Sequence, residues 1–474
     1  MLRDKRQVLV TLMIGTSMAA IDSSIVNVSL PVIQKQFGVD LDEVSLVITA
    51  YMITFLLFIP LTNWLKNGVG YYRLYMMSIL IFILGSLLCS ISGSIQMLVI
   101  SRVIQAIGGG SIAPTSLAIL SESFPKNERG SAIGWWGIGN VMGPALGPTL
   151  GGVLTEYLGW QAIFYVNIPI GIVAILMNMR YLSFLKARKR CNPPFDFKGY
   201  LLFVFFIILL QFTLTSTSDK YGFTSWQFLT GVLLTIFSLW LFIKSSRRPQ
   251  ALLDLSVFRV AAFNRAFIIV ALRSLALFGG MFFLPFLLQG YLKYTEIQSA
   301  LLLLPNALAM LLTRPMAGKM ADAGMIRNIS IFGICLVSAS FFLFAQINTN
   351  TPAWFIVVAM IVRGLGISFL IAPVSTALLN AVSPTQTVTA TSLNSLILQL
   401  GGSIGIAISG SMHTYIYDHY IVKGYDMVLA EHYALRDGFL FTAILMLVTL
   451  IPASKLPQTV PGRVKRSKRK AALG

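Results

Sequence analysis

Apolar runs of about twenty residues recur along the whole 474-residue chain, near 8–30, 44–64, 72–92, 96–120, 131–154, 161–182, 199–217, 226–243, 262–289, 296–317, 328–346, 352–374, 387–414 and 437–454. That length matches helices crossing a hydrocarbon core of about 30 Å, whereas a membrane barrel would show shorter segments of alternating polarity. Lipid offers no hydrogen bonds to a backbone, so a chain of this kind satisfies its N–H and C=O groups within helices. With 56% hydrophobic and 11% charged residues, it lacks the polar surface that a soluble protein of this size needs. The expected fold class is an all-α polytopic membrane protein with fourteen transmembrane helices.

A net charge of +19 would point to nucleic acid in a soluble chain, but here the basic residues lie between the apolar runs, and no nucleic-acid partner is expected. Fourteen spans place both termini on one side. That side carries 28 of the 36 Lys and Arg, including KARKR at 186–190 and the tail GRVKRSKRK at 462–470, against five on the other. The excess assigns both termini to the cytoplasm. The tail reads as a solvated or lipid-headgroup-touching end. The first run shows no small-residue cleavage site, so it reads as a retained span and not a signal peptide. Cys89, Cys191 and Cys335 are scattered, and His413, His419 and His432 have no metal-ligand spacing. Neither disulfides nor a metal are implied.

Three arginines, Arg102, Arg273 and Arg363, and one acid, Asp22, fall well inside apolar runs. An ionised side chain near the bilayer centre costs at least ~2.5 kcal/mol on insertion scales, so each is a candidate functional residue. Asp22 lies in TLMIGTSMAAIDSSIVNVSLP at 11–31, and its helical neighbours Gly15, Met18, Ala19, Val26 and Ser29 form a small, weakly polar stripe suited to protein or a wet cavity. Arg102 cannot shed its proton at ordinary pH and needs a counter-charge. In the expected topology both residues occupy the outer halves of their helices and could face each other, either as a permanent clamp or as a proton-coupling pair.

The chain also repeats itself. IAPTSLAILSESFP at 112–125 and IAPVSTALLNAVSP at 371–384 share Ile-Ala-Pro and a closing Pro at a constant offset of 259, each following an embedded arginine and a glycine-rich segment. Two related bundles explain this, and paired repeats of this kind mark transporters. In the fifth run, Gly143-Pro144-Ala145-Leu146-Gly147-Pro148 is followed by Gly151-Gly152. Glycines four apart make a groove for another backbone, and the prolines interrupt the helical ladder, so a kinked, tightly docked helix is expected.

IDSSIVNVSLP at 21–31, RVIQAIGGG at 102–110, GIGNVMGPALGPTLGG at 137–152 and LDLSVFR at 253–259 together resemble the fourteen-helix drug/proton antiporter family of the major facilitator superfamily, in its EmrB-type branch. The resemblance covers nearly the whole chain. It implies two pseudo-symmetric six-helix bundles, 1–185 and 261–456, with an inserted helix pair and basic flanks at 186–260 and a basic cytoplasmic tail at 457–474. It associates the Gly-Pro pattern with export by antiport. It also implies a gating loop after the second span, usually Gly-x-Leu-Ala-Asp-x-x-Gly-Arg, where this chain departs with Asn63-Trp64-Leu65-Lys66-Asn67-Gly68-Val69-Gly70-Tyr71. The related second-half loop keeps its glycine and acid as Gly318 and Asp322.

With the inserted pair set aside, Asp22, Arg102, Arg273 and Arg363 lie on helices one, four, seven and ten of a twelve-helix core, the set that lines the cavity in the superfamily. The expected function is export of amphiphilic or lipophilic small molecules across the inner membrane by alternating access, with Asp22 carrying the coupling proton. No cofactor is implied beyond the proton gradient. Candidate cargo contacts are Tyr51, Gln105, Arg273, Arg363, Asn394 and Gln399, although each neutral one reads equally well as an interhelical hydrogen bond. Three arginines against one acid keep open an alternative cargo, an acidic metabolite such as a fatty acid or a carboxylate siderophore. EmrB-type exporters work with a periplasmic adaptor and an outer-membrane channel, which the resemblance adds to lipid, protons and cargo as candidate partners. No His-Glu-x-x-His and no Gly-x-Ser-x-Gly nucleophile pattern occurs, which argues against a membrane-embedded enzyme. A nutrient symporter and a non-transporting scaffold are weaker readings, the first opposed by the Gly-Pro helix and the second by the repeat.

Overall fold

The computed structural model describes residues 2–187, 194–214, 225–246 and 251–458. Cys191 and the basic tail lie outside the described residues, as does most of the KARKR run. Among the described residues the principal helices are, in order, α1 Leu2–Phe37, α2 Leu41–Phe58, α3 Leu61–Ser90, α4 Ile95–Ser123, α5 Arg129–Leu158, α6 Asn167–Tyr181, α7 Phe197–Phe212, α8 Trp226–Ser245, α9 Ala261–Pro285, α10 Glu296–Asp322, α11 Ile326–Ala345, α12 Ala353–Asn380, α13 Thr387–Val422 and α14 Met427–Val448. Among the described residues, eleven helical stretches are long and apolar enough to cross a membrane. The shorter apolar helices Glu43–Phe58 and Phe197–Phe212, together with α5, occupy the other three expected positions.

The expected loop at 63–71 shrinks to a single residue. Helical backbone runs to Val69, and Gly70, at φ 80° and ψ 161°, breaks α3 into two helical stretches, 61–69 and 71–90. Its positive φ is available to glycine without a Cβ penalty, so one residue supplies the break that the sequence reading spread over nine. Pro60, which brings no N–H, interrupts the helix earlier, between α2 and the 61–69 stretch. The chain runs helically through Pro144 and Pro148 in α5.

Two compact units divide the chain. Unit 1 takes Met1–Phe124, Trp135–Val257 and Ser383–Ser395, and unit 2 takes Pro125–Gly134, Phe258–Val382 and Leu396–Gly474. In unit 1, α4 packs against α2 and α3, and α1 packs against α4 and α6. In unit 2, α12 packs against α10 and α11, and α9 packs against α12 and α14. The neighbour pattern of the first helices thus recurs eight elements later, and the repeated prolines, Pro114 and Pro373, sit inside the matching helices α4 and α12. The inserted helices α7 and α8 pack on each other, with α7 against α2, inside unit 1.

The LDLSVFR segment gains a structural account here. Asp254 accepts from Ser256 N–H at 3.0 Å and from Gln386 Nε2 at 3.0 Å, and Gln386 also donates to Ser256 Oγ at 3.1 Å. Asp254 and Ser256 of the motif are thus pinned to Gln386, the residue before α13, all three in unit 1.

Candidate functional site

Asp22 is fully buried, the only acid so buried among the described residues. Its Oδ2 accepts from Arg102 Nη1 at 2.7 Å. Its Oδ1 accepts from Gln105 Nε2 at 2.8 Å and from Asn167 Nδ2 at 2.7 Å. Helical geometry brings these donors together: Arg102 and Gln105 are three apart on α4 and so share a face, and Arg102 Nη1 also donates to Gln105 Oε1 at 2.6 Å. Ser86 on α3 accepts from Gln105 Nε2 and Asn167 Nδ2, both at 2.9 Å, and donates to Phe164 O at 3.2 Å. Tyr51 of α2 lies under the guanidinium, 3.9 Å from its ring centroid, a cation–π contact in a desolvated place.

Charge and hydrogen bonding balance in this network. One carboxylate faces one guanidinium, and both carboxylate oxygens are met by donors, which is what a buried ion pair needs to offset its desolvation. Three buried atoms at its edge lack a partner: Arg102 Nε, Asn167 Oδ1 and the Tyr51 hydroxyl. Such groups are costly when left unmade and are satisfied when a cluster rearranges. Tyr51 and Gln105, singled out from the sequence as cargo contacts, therefore lie against the charge pair inside unit 1.

α5 is zipped to α1 beside this pair. A Cβ on Gly143 would run into Ala20 O, one on Gly147 would sit 2.5 Å from Ser24 Oγ, and one on Gly151 would sit 2.8 Å from Ile25 O. Trp136 Nε1 donates to Thr16 Oγ1 at 3.0 Å, and the Ser29 and Thr155 hydroxyls meet at 2.7 Å. The absent side chains let the two backbones close along the face of α1 that flanks Asp22. Gly152 is different: a Cβ there would meet nothing within 4 Å.

In unit 2, Arg273 and Arg363 have no such acid partner among the described residues. Arg273 on α9 is 2% exposed, with Nε and Nη1 both buried and unpartnered. Arg363 on α12 is 6% exposed, its Nε is unpartnered, and its Nη2 reaches Leu277 O of α9 only at 3.4 Å. Arg314, counted from the sequence with the cytoplasmic loops, is a correction: α10 continues to Asp322 and Arg314 is buried within it, 5% exposed. The helix passes through Pro315 beside it. The offset of 259 carries Arg102 onto Ile361, two residues from Arg363. Two residues are about 200° of helix rotation, so the two arginines face differently within their repeats.

The remaining candidates are placed as follows. Asn394 is buried in unit 1 with Oδ1 unpartnered, and Gln399 is half-buried in unit 2. Asp322 accepts from Gly130 N–H and Ser131 N–H, both at 2.7 Å, so its two oxygens serve the first turn of α5. Gly318 packs against Gly130 O, where a Cβ would collide. All four residues belong to unit 2. His413 Nε2 lies 3.1 Å from Glu431 Oε1. Asn167 and Ser86 were missed by sequence reasoning, since single amides and hydroxyls are common in apolar helices; the signal available was Asn167 standing alone as an amide within the apolar stretch 162–177 of the sixth run.

The family model for the Major Facilitator Superfamily matches residues 12–406. The chain is 30% identical over 410 residues to the multidrug resistance protein B homolog of Mycobacterium tuberculosis (strain H37Rv), covering 86% of this chain and 76% of that one. It is 28% identical over 411 residues to the multidrug export protein EmrB of Escherichia coli (strain K12), covering 85% and 79%. It is also 29% identical over 410 residues to the riboflavin transporter RibZ of Clostridioides difficile (strain 630), covering 86% and 88%. Its fold is similar to the crystal structure of the human organic anion transporter MFSD10, with a TM-score of 0.67, 14% identity, and coverage of 95% of this chain and 99% of that one. The chain belongs to the major facilitator superfamily, and its relatives align it with the EmrB-type branch. It is a multi-pass membrane transporter of small molecules, not an enzyme.

Proposed function

We propose that this protein exports amphiphilic or lipophilic small molecules across the inner membrane in exchange for protons, by alternating access, with Asp22 as the proton carrier. The observation that carries the reading is the placement of the one fully buried acid among the described residues, whose two oxygens together face only donors. A proton arriving on that carboxylate turns an acceptor into a donor aimed at other donors. Arg102 cannot yield a proton in compensation, so the network has to re-form. Protonation also cancels one half of a buried ion pair and leaves the guanidinium uncompensated, which favours a different arrangement of α1 and α4. Because α1 carries Asp22 and is zipped to α5, rearrangement at the acid is felt along the Gly-Pro helix. A membrane potential adds about 2.3 kcal/mol per charge per 100 mV to one proton's movement.

The orientation we infer has both termini in the cytoplasm, supported by the excess of Lys and Arg on that side. A periplasmic adaptor and an outer-membrane channel are the partners that the EmrB-type resemblance adds, and co-purification from intact membranes tests them. The central test is transport in inverted membrane vesicles with an interior pH dye and a mixed panel of neutral, cationic and anionic amphiphiles. Export predicts proton-driven accumulation inside inverted vesicles together with proton release, both lost in Asp22→Asn. Accumulation only in right-side-out vesicles would instead mean import, and full gradient-driven transport by Asp22→Asn would remove the acid from the coupling step.

A further inference from the structure

We propose that His413 and Glu431 form a proton-binding site at the outer end of unit 2, separate from Asp22, which clamps the end of α9 between α13 and α14 when the outer phase turns acidic. The inference goes beyond the export reading and takes from it only the orientation that makes this end the outer one.

α13 runs for 36 residues, about 54 Å at the usual helical rise, which exceeds a hydrocarbon core of about 30 Å. His413 lies late in that helix, about 39 Å from its start, so it sits toward the outer headgroups and not at mid-core. Glu431 lies in the second turn of α14, on the other side of the short connection that follows α13. The two side chains meet at 3.1 Å between Nε2 and Oε1 and are 12% and 20% exposed. The pair is shielded from bulk water yet within reach of a proton from that side.

The pair closes over a change of winding in α9. After Pro285, which brings no N–H, the chain continues as a π-helical turn over Phe286–Tyr291, and Leu292 N–H donates to Leu287 O at 2.9 Å. Such turns recur at functional sites, because the helix is free to rewind there. Two histidines hold this one. The His413 ring lies 5.0 Å from Phe286 and 6.3 Å from Phe283, and His432 of α14 stacks on Tyr291 at 5.4 Å. Phe283 in turn packs on Phe439 of α14 at 5.4 Å, so the segment is gripped from its base to its tip.

Imidazole is the side chain whose ordinary titration falls between pH 5 and 8. A proton on His413 turns its contact with Glu431 into a charge-assisted one and sets a cation against the Phe286 ring, and both changes strengthen the grip. The proton therefore binds best to the clamped arrangement and draws the end of α9 into it. The sign follows: the clamp is tight at low pH and slackens as pH rises through the imidazole range. The other charged or titratable groups on the elements that meet here are His432, Arg436 and Asp437 on α14, Tyr291 and Lys293 at the end of α9, and Tyr417 and Asp418 on α13. Arg436 and Asp437 pair with each other at 2.9 Å, so Glu431 is the acid that meets His413.

The test is hydrogen-exchange mass spectrometry of the full-length protein in phosphatidylcholine nanodiscs at about pH 5.5 and about pH 8, with each rate divided by the intrinsic rate at that pH. Expected is roughly five- to tenfold greater protection of the peptide covering 286–295 at the lower pH. His413→Gln and Glu431→Gln should each abolish that difference, whereas His432→Gln and Asp22→Asn should keep it. Glu431→Gln removes the charge at nearly constant size, so it carries the test if His413→Gln does not fold, and unchanged protection of α11 checks the fold of each variant. Equal protection at the two pH values in the wild type overturns the proposal. So does a difference that survives in both His413→Gln and Glu431→Gln. A difference lost only in Asp22→Asn, or only in His432→Gln, overturns it as well, because the proton responsible would then sit on that residue.

Discussion

Asn167 Nδ2 lies 2.7 Å from Asp22 Oδ1 across 145 residues of sequence, so α6 supplies a neutral donor to the carboxylate that α4 neutralises. Its second acceptor, Ser86 Oγ, ties the same amide to α3. Replacing it by leucine leaves Asp22 Oδ1 with one donor and should destabilise the protein by about 1–3 kcal/mol. Thermal unfolding of the purified variant in detergent, followed by tryptophan fluorescence, measures this. A transition at the wild-type temperature would mean that the amide contributes nothing.

The ion pair allows stability to be separated from coupling. Asp22→Asn strands a buried guanidinium and should destabilise by about 3–5 kcal/mol, and Arg102→Gln, which strands the carboxylate, should do likewise. The double variant removes both charges and should recover much of that loss while staying inactive in gradient-driven transport. A purely structural clamp predicts the opposite for activity: transport would return with stability. The pair of assays on three variants is a double-mutant cycle with two readouts.

Within the Gly-Pro helix two glycines should behave differently. Gly143→Ala pushes a methyl into Ala20 O and should cost roughly 1–3 kcal/mol, with loss of transport. Gly152→Ala meets nothing within 4 Å and should be neutral in both assays. Equal tolerance at the two positions would show that the α1–α5 contact does not need its bare backbone.

Asp322 serves as an N-terminal cap donated from another helix, since both its oxygens accept from the first turn of α5. Asp322→Ala should release the Gly130 and Ser131 amides, whose hydrogen exchange then speeds up roughly tenfold. Exchange mass spectrometry on the peptide covering 125–134 reads this directly. Unchanged exchange would assign those amides a different partner.

The helical architecture was legible because each apolar run is a span on its own and the repeat spacing is carried by two prolines, Pro114 and Pro373, which the structure seats in matching helices. Asp22 and Arg102 stood out because a lone charge in an apolar run is expensive, and their contact is a matter of two helices meeting. Gln105 was read as a cargo contact, yet its three-residue spacing from Arg102 already put it on the arginine's face. The contacts of Asn167 and Ser86 could not be read, because nothing in one helix's periodicity says which polar group a second helix will approach, although Asn167 itself stood out as an amide in an apolar stretch. The 63–71 stretch was read as a loop and the chain does break there, at Gly70 alone, whereas Arg314 was counted with the loop beyond its span although α10 runs on to Asp322.

The stripe of bare backbone on α5 has a mechanical consequence. With Gly143, Gly147 and Gly151 pressed onto the Ala20–Ile25 turn of α1, and hydroxyls locked at Ser29 and Thr155, there is no compressible layer of side chains between the two rods. Under the proposed coupling, a tilt or slide that protonation starts in α1 would pass to its neighbour with little slack, so that the pair would move as a single gear tooth.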